Sequence, residues 1–386
     1  MHINGLQIYQ FHLPQSWHKV SLQEAQPRRL SGIDVIAVEI FTDSGACGLG
    51  FTWSNHGISA IRSLIENDFP GLLLHEDPLQ NERLFSNAMA CFRKSGWQGL
   101  VARSWAAIDI ALWDIKGKAA NLPLYHLFGG HRHSAPYYLS EPTDLFLEPS
   151  EIISRVRPQV TDGAMGVLIE IGSGDVQQDA DRVQNIRDAL GEDAWIAIDA
   201  RCRLDLATAL ALSHFFEDDV GVDRCEELLP VDDSGGYHKL AQRLEIPLAL
   251  GSTLSNRGDF RTILERGDIR VLRPDLLRLG GITPFLKIAA LAESYSATIA
   301  PYQLPELSVH LACGLTNVDA VENTAMLSCL FQDRPNTLKG SIFPSKIAGH
   351  GLLLSPDAVE KYSFPFANSR SIQLSDANQF GMSMLH

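Results

Sequence analysis

A chain of 386 residues exceeds what one small hydrophobic core organises, so two domains are expected. Its hydrophobic share of 45% suits a soluble globular protein, and its formal net charge of −14 excludes nucleic acid or an anionic membrane surface as partner. A small anionic substrate stays compatible, because a local arginine or metal ion can reverse the field inside a cleft.

The six cysteines (Cys47, Cys91, Cys202, Cys225, Cys313 and Cys329) form no Cys-x-x-Cys pair, which predicts reduced thiols in a cytoplasmic enzyme rather than a disulfide or zinc framework. No apolar run reaches the ~18 residues of a membrane span. Residues 1–10 lack the charged-then-apolar layout of a secretion signal, so a cytoplasmic location is expected.

In chain order, residues 3–11 and 34–42 alternate like strands, and Asp43-Ser44-Gly45 turns the second into another run at 46–51. Polar, loop-like stretches lie at 18–31 and 53–57. Helical spacing follows at 58–67 and 78–92, and most clearly at 104–120, where Ile108, Leu112 and Ile115 form one stripe. On that helix Asp114 is expected to pair with Lys118 one turn on. Leu122-Pro123 ends it, and Gly129-Gly130 marks the passage to the next domain.

From Gly166 to Glu322 one unit recurs: a short apolar run, a polar residue at its end, then an amphipathic segment. The runs start at Val167, Trp195, Val222, Pro247, Ile269, Thr298 and Val318, and lead to Glu170, Asp199, Glu226, Ser252, Asp275, Tyr302 and Glu322. Helices are expected at 178–190, 206–216, 237–244, 260–265, 283–295 and 306–314, and residues 135–138 supply an eighth strand. A spacing of roughly 25 residues fits a strand, a helix and two loops. Polar residues at the C-terminal ends of parallel strands are where a (β/α) barrel gathers its chemistry.

Three stretches carry a family likeness: residues 106–119 with 124–130, the segment Arg273-Pro-Asp-Leu-Leu-Arg-Leu-Gly-Gly-Ile-Thr283, and Cys225-Glu-Glu followed by Pro230 and Asp232-Asp233. They resemble the enolase superfamily, mandelate racemase/muconate lactonizing enzyme branch, over nearly the whole chain. The resemblance implies an α/β architecture, a modified (β/α)7β TIM-type barrel with an α+β N-terminal capping domain. The corresponding boundaries are 1–128 for the cap, 129–360 for the barrel and 361–386 for a segment returning to the cap. It also implies substrate-closing loops around His18, Lys19, Trp53 and His56, and a homo-oligomer between dimer and octamer.

The chemistry so implied needs a divalent cation on three strand-end carboxylates, a base that removes the proton α to the substrate carboxylate, and stabilisation of the resulting enediolate. This sequence departs from that set. Asp199 and Glu226 match the first two metal carboxylates, but Ser252 stands where the third is expected, and Arg201 where an asparagine is usual. Glu170 ends the stretch where a Lys-x-Lys is usual. Asp275 matches the dyad aspartate, yet Tyr302 replaces its histidine, and Glu322 matches an acid that assists the enediolate.

Two repairs follow. In one, Glu170, Asp199 and Glu226 hold a shifted Mg²⁺, with water or Ser252 completing the shell. In the other, which the exchange of charges favours, the permanently cationic Arg201 takes over the charge of the ion and clamps the substrate carboxylate, leaving Glu170 or Tyr302 to move the proton. The blander alternative pairs Asp199 and Glu226 with Arg201 and Arg224, and Asp275 with Arg273 or Arg278, as structural ion pairs. The expected function is an acid-sugar dehydratase or epimerase type of lyase or isomerase acting on a small hydroxy-carboxylate, with Mg²⁺ as cofactor or an altered, metal-independent centre. The alternative is a non-catalytic barrel that keeps a carboxylate pocket.

Overall fold

The computed structural model describes residues 1–14, 32–140, 145, 147–364 and 370–373. Strands β1 (Ile3–Pro14), β2 (Gly32–Thr42) and β3 (Cys47–Ser54) form an antiparallel sheet, and a strand at Arg370–Gln373 pairs along β1. The helix Leu100–Ala120 lies across this sheet. It comes so close that a Cβ built on Gly50 would sit 1.8 Å from the Ala107 carbonyl oxygen, which is why the strand carries glycine there. The Asp114–Lys118 pair is present at 2.7 Å. Asp114 is fully buried and also accepts from the backbone N–H groups of Leu49 (3.0 Å) and His350 (3.1 Å). One carboxylate thus ties the cap helix, the cap sheet and a late loop together.

The second sheet is the barrel. Strands β4 (Ala135–Ser140), β5 (Gly166–Glu170), β6 (Trp195–Asp199), β7 (Arg224–Glu226), β8 (Leu248–Leu250), β9 (Val271–Leu272) and β10 (Thr298–Ile299) pair in parallel in that order. The eighth, β11 (Val321–Asn323), pairs with β4, and a bridge between Ile299 and Val318 closes the ring. The registers place Glu170 beside Asp199, and Asp199 beside Glu226.

Several elements lie beyond what periodicity reveals. The helix Pro149–Thr161 holds Pro158 in its interior, a residue that reads as a breaker, yet it buries Ile152 and Val156. The hairpin of β12 (Asn336–Leu338) and β13 (Ser341–Phe343) extends the barrel sheet antiparallel to the start of β4. The helical stretch expected at 58–67 is an α-helix over Ile58–Ser63 that widens into a π-turn over Leu64–Asp68.

Cap and barrel meet at a polar latch. Asp109, on the long cap helix, accepts from the Thr283 N–H at 2.8 Å and the Thr283 hydroxyl at 2.6 Å. That hydroxyl also accepts from the Trp113 indole at 2.9 Å. Gly281 makes the approach: its φ is +112°, and a Cβ there would lie 2.4 Å from Asp109 Oδ2.

Candidate active site

Parallel strands aim their last side chains at one rim, and here that rim collects carboxylates and guanidiniums together. Glu170 pairs with Arg203, whose guanidinium also donates to the Ile171 carbonyl (3.1 Å), and lies 3.7 Å from Arg201. Arg201 Nε is 3.2 Å from Asp199 Oδ2, while the Arg201 backbone N–H donates to Asp199 Oδ1 at 2.7 Å. Its third side-chain partner is the Tyr302 hydroxyl at 2.5 Å. Arg201 and Cys202 turn through left-handed backbone (φ 51° and 59°), folding the guanidinium back over the strand end. Its side chain keeps 28% exposure, whereas Asp199 is buried.

One layer deeper, Glu226 is held at both oxygens. Arg224 meets Oε1 at 2.6 Å and Arg273 meets Oε2 at 2.8 Å. Arg273 spans onward to Glu322 (2.8 Å) and to the Tyr138 hydroxyl (2.7 Å). Glu322 also accepts from the Gln303 N–H at 2.9 Å. The Tyr302 ring lies against both cations, with guanidinium carbons 5.9 Å (Arg201) and 5.2 Å (Arg273) from its centroid.

The electrostatics follow from burial against these charges. Burial pushes the Asp199 carboxyl up to about 7, with Arg201 opposing and Glu226 adding to the rise. Burial would raise Glu322 too, but Arg273 and the Gln303 N–H outweigh it and hold its carboxyl below the ordinary range. Burial drives the Tyr302 hydroxyl well above its usual value, more than Arg201 lowers it, so it stays protonated.

Of the two structural partners expected for Asp275, Arg278 lies within ion-pair distance and Arg273 pairs elsewhere. The Asp275 side chain caps the short helix Leu276–Leu279 through the Leu277 and Arg278 N–H groups and pairs with Arg103 at 3.1 Å, with Arg278 at 3.9 Å. Arg273 turns away from it toward Glu226 and Glu322, because Asp275 points to the cap side and is satisfied there. Ser252 is placed by its backbone: the N–H groups of Gly251 and Ser252 both donate to Glu227 Oε1 at 2.8 Å. Cys202 donates to the other oxygen of Glu227 at 3.0 Å. Trp53 lies under Arg103, whose guanidinium donates to the Trp53 carbonyl at 3.1 Å and sits 5.3 Å from the ring centroid. His56 is exposed, and its carbonyl accepts from Ser54. His18 and Lys19 lie outside the described residues.

Arg203, Arg103 and Tyr138 belong to the site and were not singled out from the sequence, and Arg273, named there as a partner for Asp275, pairs with Glu226 and Glu322 instead. Their one legible signal is position, since Arg273 and Arg203 stand within a few residues of the strand ends at Leu272 and Asp199.

The arrangement is that of an enolase-type barrel, capped by an α+β domain, with a charged mouth. Family models agree: residues 151–358 match the enolase C-terminal domain-like model, and residues 19–129 match the mandelate racemase/muconate lactonizing enzyme N-terminal domain. The chain belongs to the mandelate racemase/muconate lactonizing enzyme branch of the enolase superfamily, and it is a dehydratase- or racemase-like enzyme of that superfamily. It is 29% identical to an L-talarate/galactarate dehydratase of Salmonella typhimurium, covering 89% of this chain and 86% of that protein. It is 27% identical to a 3,6-anhydro-alpha-L-galactonate cycloisomerase of Streptomyces coelicolor, over 90% and 95% of the two chains. The crystal structure of L-talarate dehydratase from Polaromonas sp. JS666, complexed with Mg and L-glucarate, superposes with a TM-score of 0.86 at 28% identity, covering 96% of this chain and 99% of that one. Among the described residues no helix is long and apolar enough to cross a membrane.

Magnesium in such relatives supports Mg²⁺ as a possible cofactor here, and the donor set tests the fit. Among the described residues no group of three or more His, Cys, Asp or Glu side chains is placed to hold a metal ion. Glu170, Asp199 and Glu226 stand side by side, but the first two share Arg201 and the third is closed off by Arg224 and Arg273. The shared ion expected over these three carboxylates does not fit this arrangement, because Arg201 lies against Glu170 and Asp199, and Arg224 and Arg273 lie against Glu226, so guanidiniums stand where the ion would. Ser252, tied to Glu227 through its backbone, does not supply the missing carboxylate.

Proposed function

We propose that this protein is an acid-sugar lyase or isomerase that removes the proton α to a carboxylate of a small polyhydroxylated acid, with dehydration or epimerisation following. The named ligands of its relatives, talarate, galactarate and glucarate, support that substrate class. One observation carries the reading: the partly exposed guanidinium of Arg201 stands at the mouth with Glu170, Asp199 and Tyr302 all in contact with it.

Arg201 presents a planar donor fork that matches a carboxylate, and its positive charge stabilises the negative charge that develops there as the α C–H bond breaks. The proton passes to a flanking carboxylate, Glu170 or Asp199, and the electron pair enters the enediolate. In dehydration the β-hydroxyl leaves as water, taking its proton from Tyr302. Glu322, in the buried layer, keeps Arg273 in place, and Asp275 joins barrel to cap through Arg103.

Incubation with a panel of acid sugars in D₂O, followed by NMR, tests this. Deuterium should appear at the α-carbon of at least one substrate and fall by ~10²-fold or more in Arg201→Met, the loss expected when a positioned electrostatic group is removed. Glu170→Gln and Asp199→Asn separate the two candidate bases. Wild-type-like exchange in Arg201→Met overturns the reading.

A further inference from the structure

Glu226 ends the barrel strand β7 and Glu322 lies in the middle of β11, and Arg273 spans the two. Its two terminal nitrogens donate hydrogen bonds, one to Glu322 and the other to the Tyr138 hydroxyl and, at 3.4 Å, the Ala300 carbonyl, while Nε lies 2.8 Å from Glu226 as an ion pair. Its side chain is 1% exposed and those of both carboxylates no more so. Arg224 takes the remaining oxygen of Glu226, its guanidinium in turn stacked 4.7 Å from the Trp195 ring centroid.

We infer that Arg273 is the resident cation of this barrel mouth, a covalently attached charge that holds Glu226 and Glu322 together and keeps a divalent ion from binding them. Three features argue for it. A metal ion approaching Glu226 would have to displace two guanidiniums. Arg273 cannot swing into solvent, because Tyr302 and the Arg201 layer cover it. An arginine also stays charged at any working pH, so the cation is present without an external supply. The mouth then has a division of labour: Arg273 fixes the carboxylate framework below, and the more exposed Arg201 meets the ligand above. This inference stands apart from the acid-sugar reading, since its measure is cation binding and not turnover.

The test is binding of Mn²⁺, followed by water-proton relaxation, and thermal unfolding in millimolar Mg²⁺ against EDTA. Samples are the wild type, Glu226→Gln, Arg273→Met, and Arg273→Met combined with Glu226→Gln. The wild type should show no Glu226-dependent Mn²⁺ site and the same midpoint in Mg²⁺ and EDTA. Removing the buried positive charge should tighten Mn²⁺ binding by about tenfold or more, raise the midpoint in Mg²⁺, and lose both gains when Glu226→Gln is added. A wild-type Mn²⁺ site that disappears in Glu226→Gln overturns the inference, as does a folded Arg273→Met protein with unchanged Mn²⁺ affinity. Arg273→Gln serves the same purpose should the methionine variant fail to fold. If neither folds, the comparison of wild type with Glu226→Gln decides by itself.

Discussion

Replacing Glu306 by glutamine isolates a proton that folding retains. Glu306 opens the helix Pro305–Gly314, is 3% exposed, and has one carboxylate oxygen without a hydrogen-bond partner. It lines a cavity of about 330 Å³ together with His310 and Arg334. Burial pushes its carboxyl from 4.5 up to about 7, against the opposing pull of its own backbone N–H and of Arg334. Between those pH values the folded chain holds a proton that the unfolded chain has released. The free energy of unfolding must therefore fall as pH rises through the window and level off above 7. The gap from 4.5 to about 7, at ~1.4 kcal/mol per pH unit, amounts to ~3 kcal/mol. Glutamine has the same shape and never ionises, so the variant lacks this contribution. Urea unfolding of both proteins from pH ~4 to ~8 should show the variant gaining ~3 kcal/mol on the wild type across that range. Asp109 and Asp199, both raised to about 7 and both chiefly by burial, tilt the wild type in the same direction. Only the difference between the two proteins is therefore diagnostic. A difference that is flat with pH, or that shrinks as pH rises, refutes the reasoning.

Two further outcomes follow from the geometry. Gly281→Ala must accept φ +112° and drive a methyl group into Asp109, so it should cost at least ~2 kcal/mol by urea unfolding. Gly45→Ala, at φ +82° with nothing within 4 Å, should cost only about 1 kcal/mol; equal costs would show that the latch tolerates the methyl group. Tyr302→Phe removes the hydroxyl beside Arg201 and should lower product formation by ~10²-fold while α-proton exchange falls less. Unchanged product formation would exclude Tyr302 as the proton donor.

Much of the barrel is legible in the chain because its repeat is local. Each strand signal is a few apolar residues closed by a polar one, and parallel pairing at a common offset sets Glu170, Asp199 and Glu226 in a row. The helix Pro149–Thr161 and the β12–β13 hairpin are illegible for the opposite reason. The first carries an internal proline, and the second owes its place to the edge of β4, far away in sequence.

The amino-acid sequence by itself determined the strand–helix repeat of the barrel and the polar residues that close its strand signals, because these rest on spacing and alternation; the capped architecture came from the family resemblance. Only the tertiary structure decided which cation meets which anion. Arg273 stands two residues from Asp275 yet reaches 49 residues along the chain to Glu322, while Asp275 takes Arg103 from 172 residues away. Strand closure and burial make those choices. A guanidinium sealed inside the ring must find every acceptor within a few ångströms, and sequence distance has no bearing on which acceptors those are.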